Sequence, residues 1–369
     1  MNLRIPGPIP VPDDILQEMS RPMINHRGPE FKEMLYRVSD RLKQVFDTKG
    51  NIYILTASGT GALEAAIVNT LSPGDKVLGT TIGSFGDRFA EIAERFGADV
   101  TTLRFPLGTA IDLGKLRSAL EADDEIKAVL VTHNETSTGV TNDLESVASV
   151  VKDQFDKLLL VDGISSVCSI PLHTDTWGCD VIATASQKGW MLPPGLAFIS
   201  FSDSAWKAHA EAKMPRFYFD LAQYQHYFEI GQPPYTPSVS MMFALDLALE
   251  RIMDEGLDSL YERHARIGQF TRNGLIAQGL ELFATEDVAS DTVTAFKIPN
   301  GVNAAELIKV LQTDHNIVVA TGQESLKGKI IRIGHMGHTT EAEIQEVLDA
   351  LAETLPRMGF DAPTASVVV

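Results

Sequence analysis

Residues 186–201 read SQKGWMLPPGLAFISF. They leave one apolar run, CDVIATA (179–185), and enter another, GLAFISF (195–201), with Lys188 between the two. An ammonium set between buried strands is costly to desolvate unless its amine has a task, and the simplest task is a Schiff base. Ser186 and Gln187 precede it with groups able to hydrogen-bond an anion. Gly189 and the turn Pro193, Pro194, Gly195 fix the backbone that follows. An isolated lysine near a strand end is ordinarily a solvated surface residue, so the rest of the chain has to supply partners for this one.

Outward from this stretch, short apolar runs alternate with amphipathic segments. Strands are predicted at 52–55 (IYIL), 76–79 (KVLG), 99–103 (DVTTL), 127–132 (KAVLVT), 157–162 (KLLLVD), 179–185 and 195–201. Helices are predicted between them, at about 59–71, 86–96, 112–121 and 143–155. The succession implies an α/β fold, a mainly parallel seven-stranded sheet covered by helices on both faces. Ligands of such sheets bind beyond the carboxyl ends of the strands. Four polar clusters fall at those ends: TASGTG, THNETSTG, DGISS and SQKG.

The flanks are of another kind. Pro6, Pro8, Pro10 and Pro12 forbid a helix or a central strand, so residues 1–20 read as an extended arm of the sort that often lies on a neighbouring subunit. A short helix from Asp13 and a longer one from Pro29 to Phe46 follow. After a helix near 203–213, residues 214–237 form a long aromatic and proline-rich loop suited to binding or dimer contact. Two long helices, about 238–255 and 257–277, lead into an α+β unit with strands near 293–298, 316–319 and 329–334 and helices near 303–313 and 340–355. The expected division is an arm (1–20), a large domain (21–255) and a small C-terminal domain (256–369), with a frayed tail beyond Gly359.

The chain has 369 residues and a net charge of −18, which disfavours nucleic-acid and anionic-membrane partners while allowing a locally positive pocket. No apolar run approaches the ~20 residues of a membrane helix, and the N-terminus lacks a signal-peptide core, so a cytoplasmic location is expected. Cys168 and Cys179 form no CxxC and read as core residues. The nine histidines show no HExxH or dense cluster, His335 and His338 being the closest pair of note, and no metal is expected.

Three features give Lys188 partners. In TASGTGALEAA, Ser58, Gly59 and Thr60 stand at a helix start, where free amides and the dipole attract a phosphate-sized anion. Neither a GxGxxG, because Glu64 holds the third position, nor a GK[ST] is completed there. Asp162 ends the strand KLLLV, where a carboxylate could pair with a protonated ring nitrogen; one further strand separates it from Lys188. Arg332 ends the strand IIRIG, a costly place for a guanidinium without a bidentate carboxylate contact.

Lysine, aspartate and an amide-lined phosphate pocket together describe pyridoxal phosphate. With these motifs the chain resembles the class V, fold type I aminotransferases, nearest the alanine–glyoxylate and serine–glyoxylate group, from GPIPVP to RIGHMG. The resemblance implies that Lys188 carries the cofactor as a Schiff base and that Asp162 binds its pyridine nitrogen. It implies a phosphate site of Ser58, Gly59, Thr60 and Gln187, with Thr236 contributed by the partner of a homodimer. Phe85 falls where the family stacks an aromatic ring on the cofactor, and Thr136 where its ring hydroxyl is touched. Arg332 matches the arginine that clamps the substrate carboxylate, with Tyr235 and Gly7 as further substrate-side candidates. Pro233 stands where some relatives have a phosphate-binding tyrosine. The activity implied is transfer of an amino group from serine or alanine to a 2-oxo acid such as glyoxylate.

The alternatives lie on the same scaffold or outside catalysis. Cysteine desulfuration needs a nucleophilic cysteine late in the chain, and none follows Cys179. Lyase chemistry would use the same lysine and aspartate. A non-catalytic dimeric binding protein would have no reason to keep lysine, aspartate and arginine together.

Overall fold

Seven of the apolar runs form one sheet in the computed structural model, which describes residues 1–360; the tail expectation therefore falls largely outside the described residues. The strands are β1 (Ile52–Leu55), β2 (Lys76–Thr81), β3 (Asp99–Arg104), β4 (Ala128–Thr132), β5 (Leu158–Asp162), β6 (Val181–Ala185) and β7 (Ala197–Phe201). Their order is β1-β7-β6-β5-β4-β2-β3. Only β7 runs against its neighbours, pairing antiparallel with β1 and β6. The remaining contacts are parallel. All strands but β7 therefore deliver their carboxyl ends to the same edge.

Side chains alternate between faces along each strand, and each face has a core. Val129, Val131, Leu159, Val161, Ile182 and Phe198 pack with the helices Pro29–Phe46 and Val239–Glu255. Leu130, Leu160, Ala183 and Ile199 pack on the other side against α1 (Gly59–Thr70) and against Phe89 and Ala93 of α2 (Ser84–Arg95). Because both faces are covered, the strands read as continuous apolar runs.

A third core belongs to the C-terminal part. Strands β8 (Val293–Lys297), β9 (Ala320–Thr321) and β10 (Ile330–Gly334) form an antiparallel sheet in the order β8-β10-β9. Phe296, Ile331 and Ile333 of this sheet pack with Leu307, Ile344 and Leu348 of the helices Ala304–His315 and Glu341–Arg357. The second of these helices begins with a reciprocal Thr340–Glu343 capping box.

Several elements differ from the expectations or add to them. The arm lies on its own chain: Asn2–Leu3 pair in parallel with Ile317–Val318, the Gly334 amide donates to the Arg4 carbonyl, and the Ile9 amide donates to the Gln187 carbonyl. Prolines 6–12 bar regular pairing but leave the backbone free to strap one part of the chain to another. The expected strand near 316–319 is thereby cut to Ile317–Val318, and β9 starts beyond it at Ala320. Residues 214–237 are not one loop, since Asp220 caps a helix over Leu221–Glu229. The helix expected over 143–155 is α-helical only to Ala148, and a wider-wound turn continues to Gln154. Among the described residues no helix is long and apolar enough to cross a membrane.

Candidate active site

Lys188 follows β6 in a loop whose every joint is pinned. The Ser186 hydroxyl donates to the Pro193 carbonyl at 2.7 Å and accepts the Leu196 amide at 3.1 Å, so it closes the loop and does not face an anion as expected. Trp190 is fully buried, donates its indole N–H to Thr184 at 3.2 Å, and packs on Phe198 with ring centroids 4.8 Å apart. Truncating it to alanine would cost about 3–5 kcal/mol. A Cβ on Gly189 would lie 2.6 Å from the Cys168 carbonyl oxygen, so the turn sits flush against residues 168–169. Met191 and Cys168, on the two sides of that contact, hold φ at 59° and 65°. Left-handed backbone at two non-glycine residues costs roughly 1–2 kcal/mol each, sustained by the packing around it.

The pinned loop opens on a cavity of about 230 Å³ at the carboxyl edge of the sheet. Ser58 before α1, Gly59 and Thr60 at its start, Thr136, Asp162, and Gln187 with Lys188 bring the four polar clusters together in its wall. Phe85 from α2 and Gly7 from the arm complete the expected residues found there. Arg332, Tyr235 and Thr236 do not line it.

Arg332 stands one hydrogen bond behind the wall, its Nη1 donating to the carbonyl of Thr136 at 2.9 Å. Its Nε and Nη2 both donate to the carbonyl of Thr321, at 3.0 and 2.7 Å. Tyr235 is turned away, its hydroxyl on the Phe217 carbonyl and its ring stacked on Tyr218 at 5.0 Å. Thr236 is exposed on this chain.

The electrostatics follow from burial. Lys188 is 8% exposed, and desolvation pulls its amine down to about 8, while the nearby Asp162 pulls the other way. The ammonium donates to the carbonyl of Pro6 in the arm. The Asp162 carboxyl is pushed up to about 7, chiefly by burial, against one hydrogen bond from the Ile164 amide at 2.9 Å. Burial likewise lowers the Arg332 guanidinium to about 10. An amine and a carboxyl, both pushed toward neutrality, thus share one small space, with a guanidinium one hydrogen bond behind its wall.

The wall also holds residues that the sequence reading did not single out. Arg88 lies with its guanidinium 4.9 Å from the Phe85 ring centroid, a cation–π contact one helical turn along α2. Asn134 donates to Ser165 at 2.7 Å and to Thr292 at 2.8 Å, tying the β4 loop to the segment that enters β8. Asn134 was visible as part of THNETSTG, a polar run at a strand end. Arg88 carried no such signal, because on an amphipathic helix a lone arginine reads as a solvated face.

The residues fit pyridoxal phosphate on three observations. Ser58 makes no side-chain cap to α1, so the amides at this helix start are open to an anion. A Cβ on Gly59 would lie 2.6 Å from Ile164, so the chain stays bare there and lets the amides approach the cavity. The buried Oε1 of Gln187 has no partner among the described residues, and the Asp162 carboxyl has only a backbone amide. That is an acid and an amide in need of a polar ligand.

The aminotransferase class-V family model matches residues 15–347. The chain belongs to this family. It is 39% identical to the serine–glyoxylate aminotransferase of Methylorubrum extorquens over 93% of this chain and 88% of that protein. It is equally 39% identical to a protein of a Synechococcus strain named as the small subunit of a soluble hydrogenase, over 97% and 94%. Among solved structures, an alanine–glyoxylate aminotransferase from Nostoc superposes with a TM-score of 0.92 at 32% identity, covering 96% of this chain and 94% of that one.

Proposed function

We propose that the chain is a pyridoxal-phosphate-dependent aminotransferase that passes the amino group of a small amino acid, serine or alanine, to glyoxylate. The observation that carries this reading is the meeting of Lys188 and Asp162, both buried and shifted toward neutrality, in one cavity beside an uncapped helix start. The names of the M. extorquens and Nostoc relatives support the choice of acceptor and donors.

On this reading the bound cofactor supplies an electron sink for charge that develops at the substrate Cα. Lys188 would hold it through its amine and would move the proton at Cα; an amine pulled down to about 8 can serve as base and acid near neutrality. Asp162 would face the ring nitrogen and hold its proton. Its own pKa is raised chiefly by burial, and a protonated nitrogen beside it would pull it back down. The α1 amides with Ser58, Thr60 and Gln187 would hold the phosphate, Phe85 would stack on the ring, and Thr136 would meet the ring hydroxyl. Arg332 would receive the substrate carboxylate beside the arm at Gly7.

We assign these roles to an arm (1–20), a large domain (21–255) and a small domain (256–369) of a cytoplasmic homodimer. In that dimer the exposed Thr236 completes the phosphate site of the neighbouring subunit. The test is spectroscopic. Purified protein given pyridoxal phosphate is expected to gain a visible absorbance band, and serine or alanine to bleach it, with glyoxylate restoring it. No band, or a band that no amino donor bleaches, would overturn the assignment.

A further inference from the structure

The helix that carries Phe85 and Arg88 into the cavity has no cap of its own: α2 begins behind Gly83 without a side-chain hydrogen bond from that position. A helix start leaves four amides in need of acceptors. Here the acceptors come from the THNETSTG loop, about fifty residues further along. The Ser84 amide donates to Ser137 Oγ at 3.0 Å, and the Phe85 and Gly86 amides donate to Glu135 Oε2 at 3.0 and 3.1 Å. The other carboxylate oxygen, Oε1, accepts the Ser137 amide at 3.0 Å and its hydroxyl at 2.6 Å.

Resting on the functional reading above, we propose that Glu135 is a positioning residue of the active site: with Ser137 it replaces the missing cap of α2 and so sets where Phe85 and Arg88 stand. Four donors converge on its two oxygens. An ionised carboxylate, acceptor on both sides, satisfies all four, whereas a carboxamide of the same shape would turn an N–H₂ toward two N–H donors or toward Ser137. The group is fully buried, and burial pushes its pKa up against the pull of those same hydrogen bonds. No arginine or lysine pairs with it among the described residues, so the α2 dipole and the amides are its compensation. The backbone opposite is cut to fit, since a Cβ on Gly83 would lie 2.4 Å from Ser137 Oγ and 2.6 Å from the Glu135 carboxyl carbon. Between these two residues Thr136 lends its carbonyl to Arg332, so one loop holds both the ring-bearing helix and the guanidinium. The buried anion also favours the charged forms of Lys188 and Arg332.

Glu135→Gln and Ser137→Ala in the full-length chain separate these effects. In the cofactor-free protein, hydrogen exchange at the Phe85 and Gly86 amides is expected to quicken about tenfold in Glu135→Gln. In Ser137→Ala the quickening should centre on Ser84. The pH midpoint of pyridoxal phosphate uptake, which follows the Lys188 amine, should fall by about half a unit or more in Glu135→Gln and stay put in Ser137→Ala, where the charge is kept. A merely structural role would not move that midpoint. Wild-type exchange at Phe85 and Gly86 together with an unmoved midpoint in Glu135→Gln would overturn the proposal. Should that variant fail to fold, unchanged exchange at Ser84 in Ser137→Ala would overturn it instead. If wild-type protein takes up no pyridoxal phosphate, the functional reading fails, while the exchange measurements still judge the role of Glu135 in α2.

Discussion

The two ends of the cavity are built differently. At one end Ser58, Asp162 and Lys188 each lie within a few residues of a strand end, and parallel pairing carries those ends to one edge. At the other end, Gly7 comes from the arm, and Arg332, one hydrogen bond behind the wall on the carbonyl of Thr136, comes from the C-terminal sheet. The first end is a consequence of sheet topology, and any chain that folds the sheet assembles it. The second exists only when the arm and the C-terminal sheet pack correctly on the rest. The difference teaches which substitutions should abolish chemistry and which should only loosen recognition.

The sharpest way to break this comparison is at the first end. Lys188→Ala is expected to lower transaminase turnover by roughly 10⁴-fold or more, since both the covalent attachment and the proton transfer at Cα depend on one amine. The protein should remain folded, because the loop is held by Ser186, Gly189 and Trp190, not by the lysine. Stopped-flow bleaching and far-ultraviolet circular dichroism together check both halves. Multiple turnovers at the wild-type rate would sink the assignment of Lys188.

The same contrast explains what could be read from the chain alone. The sheet was legible because both its faces are buried, which leaves continuous apolar runs such as KLLLV, and polar clusters stand out at their ends. Lys188 and Asp162 were legible as polar residues out of place. The arm was legible only as extended, because prolines specify extension but not destination; the pairing of Asn2 with Ile317 ties its first residues to the C-terminal part of the chain. The helix Leu221–Glu229 was hidden among aromatic residues that read as loop. Glu135 was quoted within THNETSTG but given no task, since a cap supplied from about fifty residues away leaves no local spacing to recognise.

A second test at the same end uses Asp162. Asp162→Asn should cost about 10³-fold in turnover by removing the charge that holds the ring nitrogen protonated. It also makes a prediction for the cofactor-free protein. The Asp162 pKa is raised from 3.8 to about 7, so between these values the folded state binds the extra proton. Its stabilising contribution is complete below pH ~4 and is lost as the pH rises through 7. Thermal unfolding of Asp162→Asn should therefore fall less steeply than wild type over that window. Parallel curves would show that the aspartate titrates normally.

At the far end the expected losses are smaller and fall on recognition. Arg332 donates three hydrogen bonds to two carbonyls and is paired with no carboxylate among the described residues, so the carbonyls orient the guanidinium without neutralising it. Arg332→Ala should lower kcat/KM about 10²-fold, mostly through KM, while the visible band of bound cofactor persists. Loss of the band with the arginine would erase the distinction between the two ends.

The smallest effect is expected where the two ends touch. Gly7 holds φ at 136°, a backbone conformation that side chains rarely adopt, and a Cβ there would lie 2.7 Å from the Lys188 Nζ and 2.9 Å from its Cε. The lysine tip is flexible and can yield to the new methyl, so the lasting cost of Gly7→Ala is the strained backbone, about 1–3 kcal/mol. That strain should fall on the arm, which can lift, and not on the sheet, which cannot. Cofactor uptake should then be little changed while kcat/KM for the amino donor falls roughly tenfold, because the arm walls the side on which the substrate is received. If uptake fell and kcat/KM for the donor held, the arm would belong to the cofactor end, and the boundary between the two ends would run on the other side of Gly7.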